Sequence, residues 1–261
     1  MYLRAAHAES SIKTLLEFIR ENPLGVLTTA ISSPSYPLLQ SSHIPWVLDF
    51  ISEDPDAPVK GRLRGHMAKQ NPHSKAMIES VTATGSPSTS QLQQDVMVLF
   101  TSMHHHYVTP KFYTETKPST AKVVPTWNYS AAQVYGKATI YYDSSYPQTS
   151  EYLSQQIRDL SNLCETSIMG YTGQGDRVEP WKVSDAPERY IEIMKKNIIG
   201  IEVAIESIGG KFKMSQEMGK GDREGVIEGF TKLGSDVGNH IACLVKERGE
   251  MKDATAKEAA K

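Results

Sequence analysis

An aromatic pair with an adjacent carboxamide stands near the middle of the chain. Trp127, Asn128 and Tyr129 open a strand-like run within residues 122–141, KVVPTWNYSAAQVYGKATIY. Neighbouring residues of a strand point to opposite faces, so Trp127 and Tyr129 share one side and Asn128 takes the other. Such an arrangement can form one wall of a pocket for a flat polar ligand. The alternative is a strand that simply buries its aromatic side chains.

A cationic segment lies upstream, at the end of a strand predicted over residues 61–68. Its residues that could bind a ligand are Arg64, Gly65, His66, Met67, Ala68 and Lys69. Asn71 and Pro72 then predict a helix start, with Asn71 as the N-cap and Pro72 in the first turn. Cationic side chains beside the free N–H groups of a helix start suit a phosphate monoester. A solvated basic strand end is the alternative.

Two further groups of polar residues extend this pattern. The strand before the cationic segment carries an amide, a hydroxyl and an imidazole, which can bridge a polar ring edge or a phosphate: Gln40, Ser42 and His43. A similar set follows a predicted strand turn in the C-terminal half: Lys213, Ser215 and Gln216. Together these groups predict a polar, cationic rim around a sheet with an aromatic wall.

Three consecutive histidines, His104, His105 and His106, raise the question of a metal site. Consecutive residues of a strand cannot all face one ion, and no cysteine or carboxylate lies nearby in the sequence. We therefore expect a solvated or hydrogen-bonding loop rather than a zinc site. The sequence contains no GxSxG, GxxxxGKS or GxGxxG motif, so no local pattern indicates a nucleophile elbow, a P-loop or a dinucleotide fingerprint.

Composition limits the class of protein. At 261 residues the chain can form one large domain or two small ones, and its net charge of −2 argues against a dominant nucleic-acid-binding surface. Two cysteines, Cys164 and Cys243, form neither a disulfide framework nor a metal cage, which favours a reducing compartment. No segment reads as a signal peptide or membrane span. We expect a soluble intracellular protein, cytoplasmic or nuclear.

Periodicity and turn residues predict the elements that position these groups. Helices are predicted from a cap at Ser10 to Pro23, from Asn71, over 147–166, after a cap at Asp185, and as one or two amphipathic helices over 222–248. Strands are predicted over 25–30, 38–50 with Pro45 at an edge or bulge, 61–68, 95–102, within 122–141, and over 199–216 with a turn at Gly209-Gly210. Residues 81–94 are predicted to be a mobile loop, 104–122 a polar connection, and 249–261 a fraying charged tail. The early run of strands without βαβ alternation favours an antiparallel barrel over a doubly wound sheet.

With these segments in place, the chain resembles the PaiB family of FMN-binding negative transcriptional regulators, in the FMN-binding split-barrel superfamily. The resembling segments run in order from residue 1 to about 234: EFIREN with GVLTT, SSHIPWVLD, GHMAKQNPH, VPTWNYSAAQVYGKA, and GGKFKMSQ with DREGVIEG. The insertions near 31–37 and 81–94 and the charged tail depart from that pattern at positions where loops are tolerated.

The resemblance implies an α+β antiparallel split β-barrel with flanking helices over residues 1–234, followed by a C-terminal helix and tail over 235–261. It also implies a homodimer with FMN at the subunit interface. In pyridoxamine 5′-phosphate oxidases of this superfamily a Ser-Arg-Lys stretch grips the phosphate, and of the matching positions His66 to Lys69 only Lys69 keeps its residue type, with Arg64 as a possible substitute. Gln40, Ser42 and His43 match the strand along the flavin, and Trp127 to Tyr129 precede the strand that faces the partner's cofactor.

Three functions are consistent with this resemblance. The first is a flavoprotein with FMN-dependent redox activity, although no residue is identifiable as an obligatory acid or base. The second is a transcriptional regulator that acts directly or through a partner. The net charge of the chain argues against direct DNA binding. The third is haem binding by the same barrel, with a histidine as axial ligand.

Overall fold

The computed structural model describes residues 1–83 and 89–259, which form two compact units. The unit that we call the sheet unit comprises residues Ile12–Phe100 and Gln133–Ile208. The terminal unit comprises Met1–Ser11, Thr101–Ala132 and Gly209–Lys261.

The described residues contain ten strands and seven α-helices. The strands are β1 Ala8–Glu9, β2 Leu24–Ala30, β3 Leu39–Pro45, β4 Val47–Phe50, β5 Gly61–Ala68, β6 Thr89–Gln91, β7 Val96–Thr101, β8 His106–Val108, β9 Thr126–Tyr141 and β10 Ile198–Lys213. The α-helices are α1 Ile12–Glu21, α2 Pro72–Thr82, α3 Thr116–Thr120, α4 Pro147–Leu163, α5 Glu188–Lys195, α6 Lys220–Lys232 and α7 Asp236–Ala259.

The sheet unit is a curled antiparallel half-barrel, so the predicted fold class is confirmed. Its strands follow the order β3-β2-β7-β9-β10-β5-β4. Antiparallel registers join β2 to β3 and β7, and β5 to β4 and β10. Although β3 and β5 lie far apart in this order, a Cβ on Gly65 would meet Ile44 Cγ2 at 2.7 Å and the Trp46 ring at 3.0 Å. The sheet therefore curls so that β5 packs against β3 and against Trp46, which follows β3.

Alternation along the strands builds the core of this unit, as the periodicity predicted. Leu27, Leu63 and Val98 are fully buried, and so are Val134 and Ile140, which share one face of β9. The amphipathic helix α1 buries Leu15, Leu16 and Ile19. Helix α1 begins at Ile12, so Ser11 and not the predicted cap Ser10 directly precedes it.

Two predicted strands differ from the structure. The strand predicted over 38–50 is two strands, because the chain breaks at the fully buried Trp46 and continues on the opposite end of the sheet order. The strand predicted to turn at Gly209-Gly210 instead runs unbroken as β10. Neither glycine has a positive φ, and a tight turn at a Gly-Gly pair would require one.

Other boundaries also differ. Asp185 ends a short 3₁₀ helix, where its carboxylate accepts a hydrogen bond from the Lys182 N–H, and Pro187 is the N-cap of α5. The predicted mobile loop contains the end of α2 and strand β6, which pairs with β9, while residues 84–88 lie outside the described part of the chain. The predicted polar connection contains β8 and α3, and the predicted tail continues α7 to Ala259.

The terminal unit has its own core. Helices α6 and α7 pack Val226, Phe230, Ile241 and Val245 into a cluster with Met214. Here β1 pairs with residues Gly210 and Lys211 of β10, and β8 pairs with the start of β9. No helix among the described residues is long and apolar enough to cross a membrane.

Candidate functional site

Strand β5 distributes the residues of the cationic segment between two faces of the sheet. Met67 is buried, and its sulfur accepts a hydrogen bond from Asn71 Nδ2 at 3.1 Å. Arg64 and His66 alternate with Met67 and therefore point to the other face, where Arg64 meets helix α4. We call the side of β5 that carries Met67 the first face and the side that carries Arg64 and His66 the second face. The run that looked like one basic strand end thus serves two separate environments. Gly65 lies against Ile44 and Trp46, where a Cβ would collide.

On the first face, a buried polar network joins β2, β3 and the start of α2. The Asn71 side chain caps α2 by accepting from the His73 N–H at 2.9 Å, as predicted, and its Nδ2 lies 3.5 Å from Ser42 Oγ. His73 bridges two hydroxyls, with Nε2 2.9 Å from Thr29 Oγ1 and Nδ1 3.0 Å from Ser42 Oγ. Burial lowers the pKa of His73 to about 4, so the ring is neutral at pH 7.

His73 was not among the predicted site residues. The sequence offered one signal for it, its place directly after the Asn71-Pro72 helix start. That position puts its side chain within the first turn of α2, but its partners come from β2 and β3, 44 and 31 residues away.

Gln40 lies on the same face of β3 as Ser42, two residues away. Its Nε2 is buried and has no hydrogen-bond partner among the described residues. A buried amide donor without a partner costs about 1–3 kcal/mol, so a bound acceptor would stabilise this site. His43 points to the other face of β3 and is exposed.

Lys69 follows β5 and is half-buried. Its Nζ donates to the Tyr142 carbonyl at 2.9 Å, and its backbone N–H donates to the Asn197 carbonyl. One neutral acceptor leaves the ammonium with further donor capacity for a phosphate. Lys69 lies two residues before Asn71 of the polar network.

Arg64 is held by carboxylates. Its guanidinium lies 2.6 Å from Asp49 and 2.8 Å from Asp159, and the Gln156 amide donates to the Arg64 carbonyl at 3.1 Å. The pKa of Arg64 is raised above its ordinary value, chiefly by the hydrogen bond to Asp49. This network ties β4 and β5 to α4.

His66 and Ala68 line a cavity of about 430 Å³ on the second face. Burial lowers the pKa of His66, and its Nδ1 is buried without a hydrogen-bond partner in the described part of the chain.

The sheet unit also has a face that is half-buried or exposed, which we call the open face. It consists of the outward residues of four strands: Val26 and Thr28 of β2, Leu39, Ser41 and His43 of β3, Met97 and Leu99 of β7, and Gln133 and Tyr135 of β9. Register aligns them across the sheet, with Val26 between His43 and Leu99, and Thr28 between Ser41 and Met97. Leu39 is 68% exposed and Tyr135 41% exposed.

The aromatic wall lies in the terminal unit. Trp127 is 48% exposed and its indole N–H donates to His105 Nδ1 at 3.2 Å. Tyr129 lies beneath the Lys211 ammonium, 5.5 Å from the ring centroid. Asn128 is fully buried, so the predicted alternation at the start of β9 is confirmed. The exposed indole leaves a flat surface available for stacking.

The other predicted residues of this unit hold a turn in place. Asn128 and Ser215 exchange hydrogen bonds of 3.0 and 3.1 Å, and Ser215 has a positive φ of 58°. The Gln216 side chain accepts from the Met214 N–H at 2.6 Å and donates to the Phe212 carbonyl. Lys213 contacts Thr126, Trp127 and Glu217, and burial lowers its pKa.

The three consecutive histidines make separate contacts. His104 stacks on His240 at 3.6 Å, and His106 meets Phe230 edge-on at 5.4 Å. Among the described residues no group of three or more His, Cys, Asp or Glu is placed to hold a metal ion.

Comparison with known proteins gives one family. The family model described as "Putative FMN-binding domain" matches residues 1–207. An uncharacterized protein of Aspergillus fumigatus is 62% identical over an alignment that covers 97% of this chain and 99% of that protein. An uncharacterized protein of Emericella nidulans is 60% identical over 97% of this chain and 99% of its own length.

More distant relatives are similar as well. The Bacillus subtilis protein named protease synthase and sporulation protein PAI 2 is 25% identical over 95% of this chain and 98% of its own length. Among solved structures, the flavocytochrome Anf3 of Azotobacter vinelandii is similar with a TM-score of 0.44 and 12% identity, over 81% of this chain and 72% of that one. A pyridoxamine 5′-phosphate oxidase-related, FMN-binding protein of Nostoc punctiforme is similar with a TM-score of 0.38 and 11% identity, over 80% and 86% of the two chains.

Proposed function

We propose, from the premise that the chain belongs to this FMN-binding domain family, that it is a flavoprotein that binds FMN noncovalently in a homodimer. The family match over residues 1–207 is the observation that carries FMN binding. FMN is the cofactor that the family binds. What we propose for this chain is the dimer and the particular residues that contact FMN.

The polar network at the start of α2 supports a site for the polar part of FMN. Gln40 offers a buried donor that has no partner among the described residues, and it lies two residues along β3 from Ser42, whose hydroxyl is within reach of Asn71. A ribityl hydroxyl or phosphate oxygen would accept from Gln40 Nε2 and relieve its desolvation. Lys69, two residues before Asn71, would supply the positive charge that a phosphate dianion requires.

The contacts of Arg64 support a different role. Its guanidinium is already paired with two carboxylates, and removing it would leave those groups uncompensated. We assign Arg64 to stabilising the contact of α4 with β5, and Lys69 to the phosphate.

The open face supports the dimer. Its side chains combine apolar groups with hydroxyls, and Leu39 and Tyr135 are substantially exposed. An apolar sheet face of this kind is stabilised when a second copy covers it. His43 lies on this face and is proposed as a flavin contact there.

In the terminal unit, Trp127 and Tyr129 remain proposed flavin contacts. The exposed indole of Trp127 supports stacking on a flat ring, and the half-buried Tyr129 shares its face of β9. Asn128, Lys213, Ser215 and Gln216 are engaged in contacts within that unit, which supports a role in positioning the aromatic pair.

Bound FMN supplies hydride and electron transfer, and we propose that the protein uses it in a redox reaction on a small molecule. The chain would bind and orient the cofactor. Reduction and reoxidation of the bound flavin, followed by its absorbance, tests this part of the proposal.

A regulatory role is the second candidate. It is favoured by the similarity to the Bacillus subtilis protein whose name refers to protease synthase and sporulation. A colourless protein that shifts DNA in a salt-sensitive manner would support this role instead, and a Soret band would identify haem.

Titration of the apoprotein with FMN, followed by flavin fluorescence, tests the proposed site. Lys69→Ala is expected to weaken FMN binding about ten- to a hundredfold, since a charge-assisted hydrogen bond contributes about 1.5–3 kcal/mol. Lys13→Ala, at an exposed lysine of α1, is the matched control and should bind as the wild type does. Equal affinities of the two variants would remove Lys69 from the site.

A further inference from the structure

The cavity on the second face of β5 lies in the sheet unit between β5, α4, α5 and the start of β10. Its volume is about 430 Å³, and its walls are mainly apolar, with Leu160, Ile191 and Ile198 among them. A cavity of this size is in the range of small-molecule sites, roughly 300–1,000 Å³.

Helix α5, which covers the cavity, buries a lysine near its end. It buries Lys195, only 3% exposed, and exposes Ile193 and Met194. The Lys195 ammonium donates to Ser150 Oγ at 3.1 Å, Ser154 Oγ at 2.8 Å and Glu192 at 2.8 Å. Three acceptors saturate its three donors and Glu192 balances its charge, so this lysine does not provide the cavity with a site for an anion.

Among the fully buried side-chain atoms of the residues in this wall, one has no protein partner in the described part of the chain. It is His66 Nδ1, which is buried. Burial lowers the pKa of His66, so the ring is neutral and can exchange one hydrogen bond with a hydroxyl or carbonyl. The side-chain amide of Asn197, also in the wall, already donates to the Ile193 carbonyl at 3.0 Å.

The mouth of the cavity is aromatic and accessible. Trp181 and Met194 line the cavity and are 45% and 38% exposed. An indole and a thioether both favour contact with a flat ring. From these observations, we propose that the cavity binds a neutral, largely aromatic small molecule that carries a hydroxyl or carbonyl group, which hydrogen-bonds to His66.

The site is separate from the one proposed for FMN. Alternation along β5 points His66 away from Met67, and Met67 contacts Asn71 of the polar network. The inference therefore does not depend on the proposed function, and it gives His66 and Ala68 a ligand other than the cofactor predicted from sequence.

Binding of 2-naphthol and of naphthalene to the full chain saturated with FMN tests this site. The two probes share the ring system and differ by one hydroxyl. We expect the wild type to bind 2-naphthol about three- to tenfold more tightly than naphthalene, and His66→Phe to remove this preference. Equal affinities in the wild type, or a preference that survives His66→Phe, would overturn the assignment.

A second pair of variants tests the cavity without changing a buried residue. Met194→Trp places a larger side chain at the mouth and is expected to reduce binding of both probes more than tenfold. Ile193→Trp makes the same change at the neighbouring exposed position, which does not line the cavity, and should bind both probes as the wild type does. Equal binding by the two variants would refute the site. Displacement of 2-naphthol from the apoprotein by FMN would assign the cavity to the cofactor and would also refute it.

Discussion

Gln40 is the residue on which the proposed cofactor contact can be tested most cleanly. Its Nε2 has no partner among the described residues, so Gln40→Leu removes a buried, unsatisfied donor from the apoprotein. We expect the thermal stability of the apoprotein to be unchanged or raised, and FMN affinity to fall about three- to tenfold. Paired melting curves with and without FMN measure both effects. A variant that loses apoprotein stability but keeps its FMN affinity would show that Gln40 has a structural role instead.

His73 makes the stability of the sheet unit depend on pH. Its folded pKa of about 4 lies below the ordinary 6.5, so the unfolded chain binds the proton more readily. The stabilisation is complete above pH 6.5 and is lost as the pH falls from 6.5 towards 4. Urea unfolding between pH 7.5 and 4 should show this loss in the wild type and a smaller one in His73→Gln. Parallel pH profiles would contradict the assignment, since His66 titrates in both proteins.

At the residue scale, the structure confirms one of the three predicted helix caps, Asn71, whereas neither Ser10 nor Asp185 caps the helix predicted after it. Asn71 and Pro72 identified the start of α2 because their roles are set by backbone geometry within two residues. The pairing of Arg64 with Asp49 and Asp159 joins residues that are 15 and 95 positions apart in the sequence. Alternation places Arg64 and Met67 on opposite faces of β5, but the role of each face depends on the elements that pack against it.

Among the strands, β9 and β10 depend on a close approach in the sheet unit. A Cβ on Gly136 would lie 1.7 Å from the Ala204 carbonyl oxygen. Gly136→Ala must therefore push the two strands apart, and we expect it to lower the free energy of unfolding by about 3 kcal/mol or more.

Gly209→Ala is the matched control for that substitution. It adds the same methyl group to β10 at a position where the nearest atom is Leu3 Cδ1 at 3.2 Å, the end of a flexible side chain. We expect a cost below about 1 kcal/mol by urea unfolding. Similar costs for both variants would show that the approach of β9 to β10 is not a tight constraint.

At the scale of elements, alternation predicted β9 and β5 because one face of each is fully buried. Alternation could not separate β3 from β4, because Pro45 is equally compatible with an edge strand, a bulge or a strand end. Only the burial of Trp46 in the structure shows that β3 ends there. The predicted turn at the Gly-Gly pair in β10 was wrong for a related reason, because glycine permits a turn but does not require one.

For the molecule as a whole, the open face should determine the oligomeric state. Tyr135→Glu places a charge on that face and is expected to convert the proposed dimer to a monomer, because a charge there would be desolvated in the interface. Leu233→Glu, at a comparably exposed apolar residue of the terminal unit, should leave the dimer intact. Light scattering coupled to gel filtration gives the molar masses. A dimer that tolerates Tyr135→Glu would place the interface elsewhere.

The sequence predicted the antiparallel barrel class because its strands lack βαβ alternation and because several blocks resemble one family. It did not predict the two compact units, whose segments come from three separate parts of the chain in one case and two in the other. The terminal unit depends on long-range contacts within it, such as those of α6 and α7 with Met214, which no local sequence pattern predicts. The predicted boundary at residue 234 remains a prediction.

Native mass spectrometry of the purified protein, as isolated and after incubation with FMN, tests the central claim most directly. We predict a species with the mass of two chains and two FMN molecules, and release of intact FMN on denaturation. A single chain that carries no FMN under either condition would contradict the account.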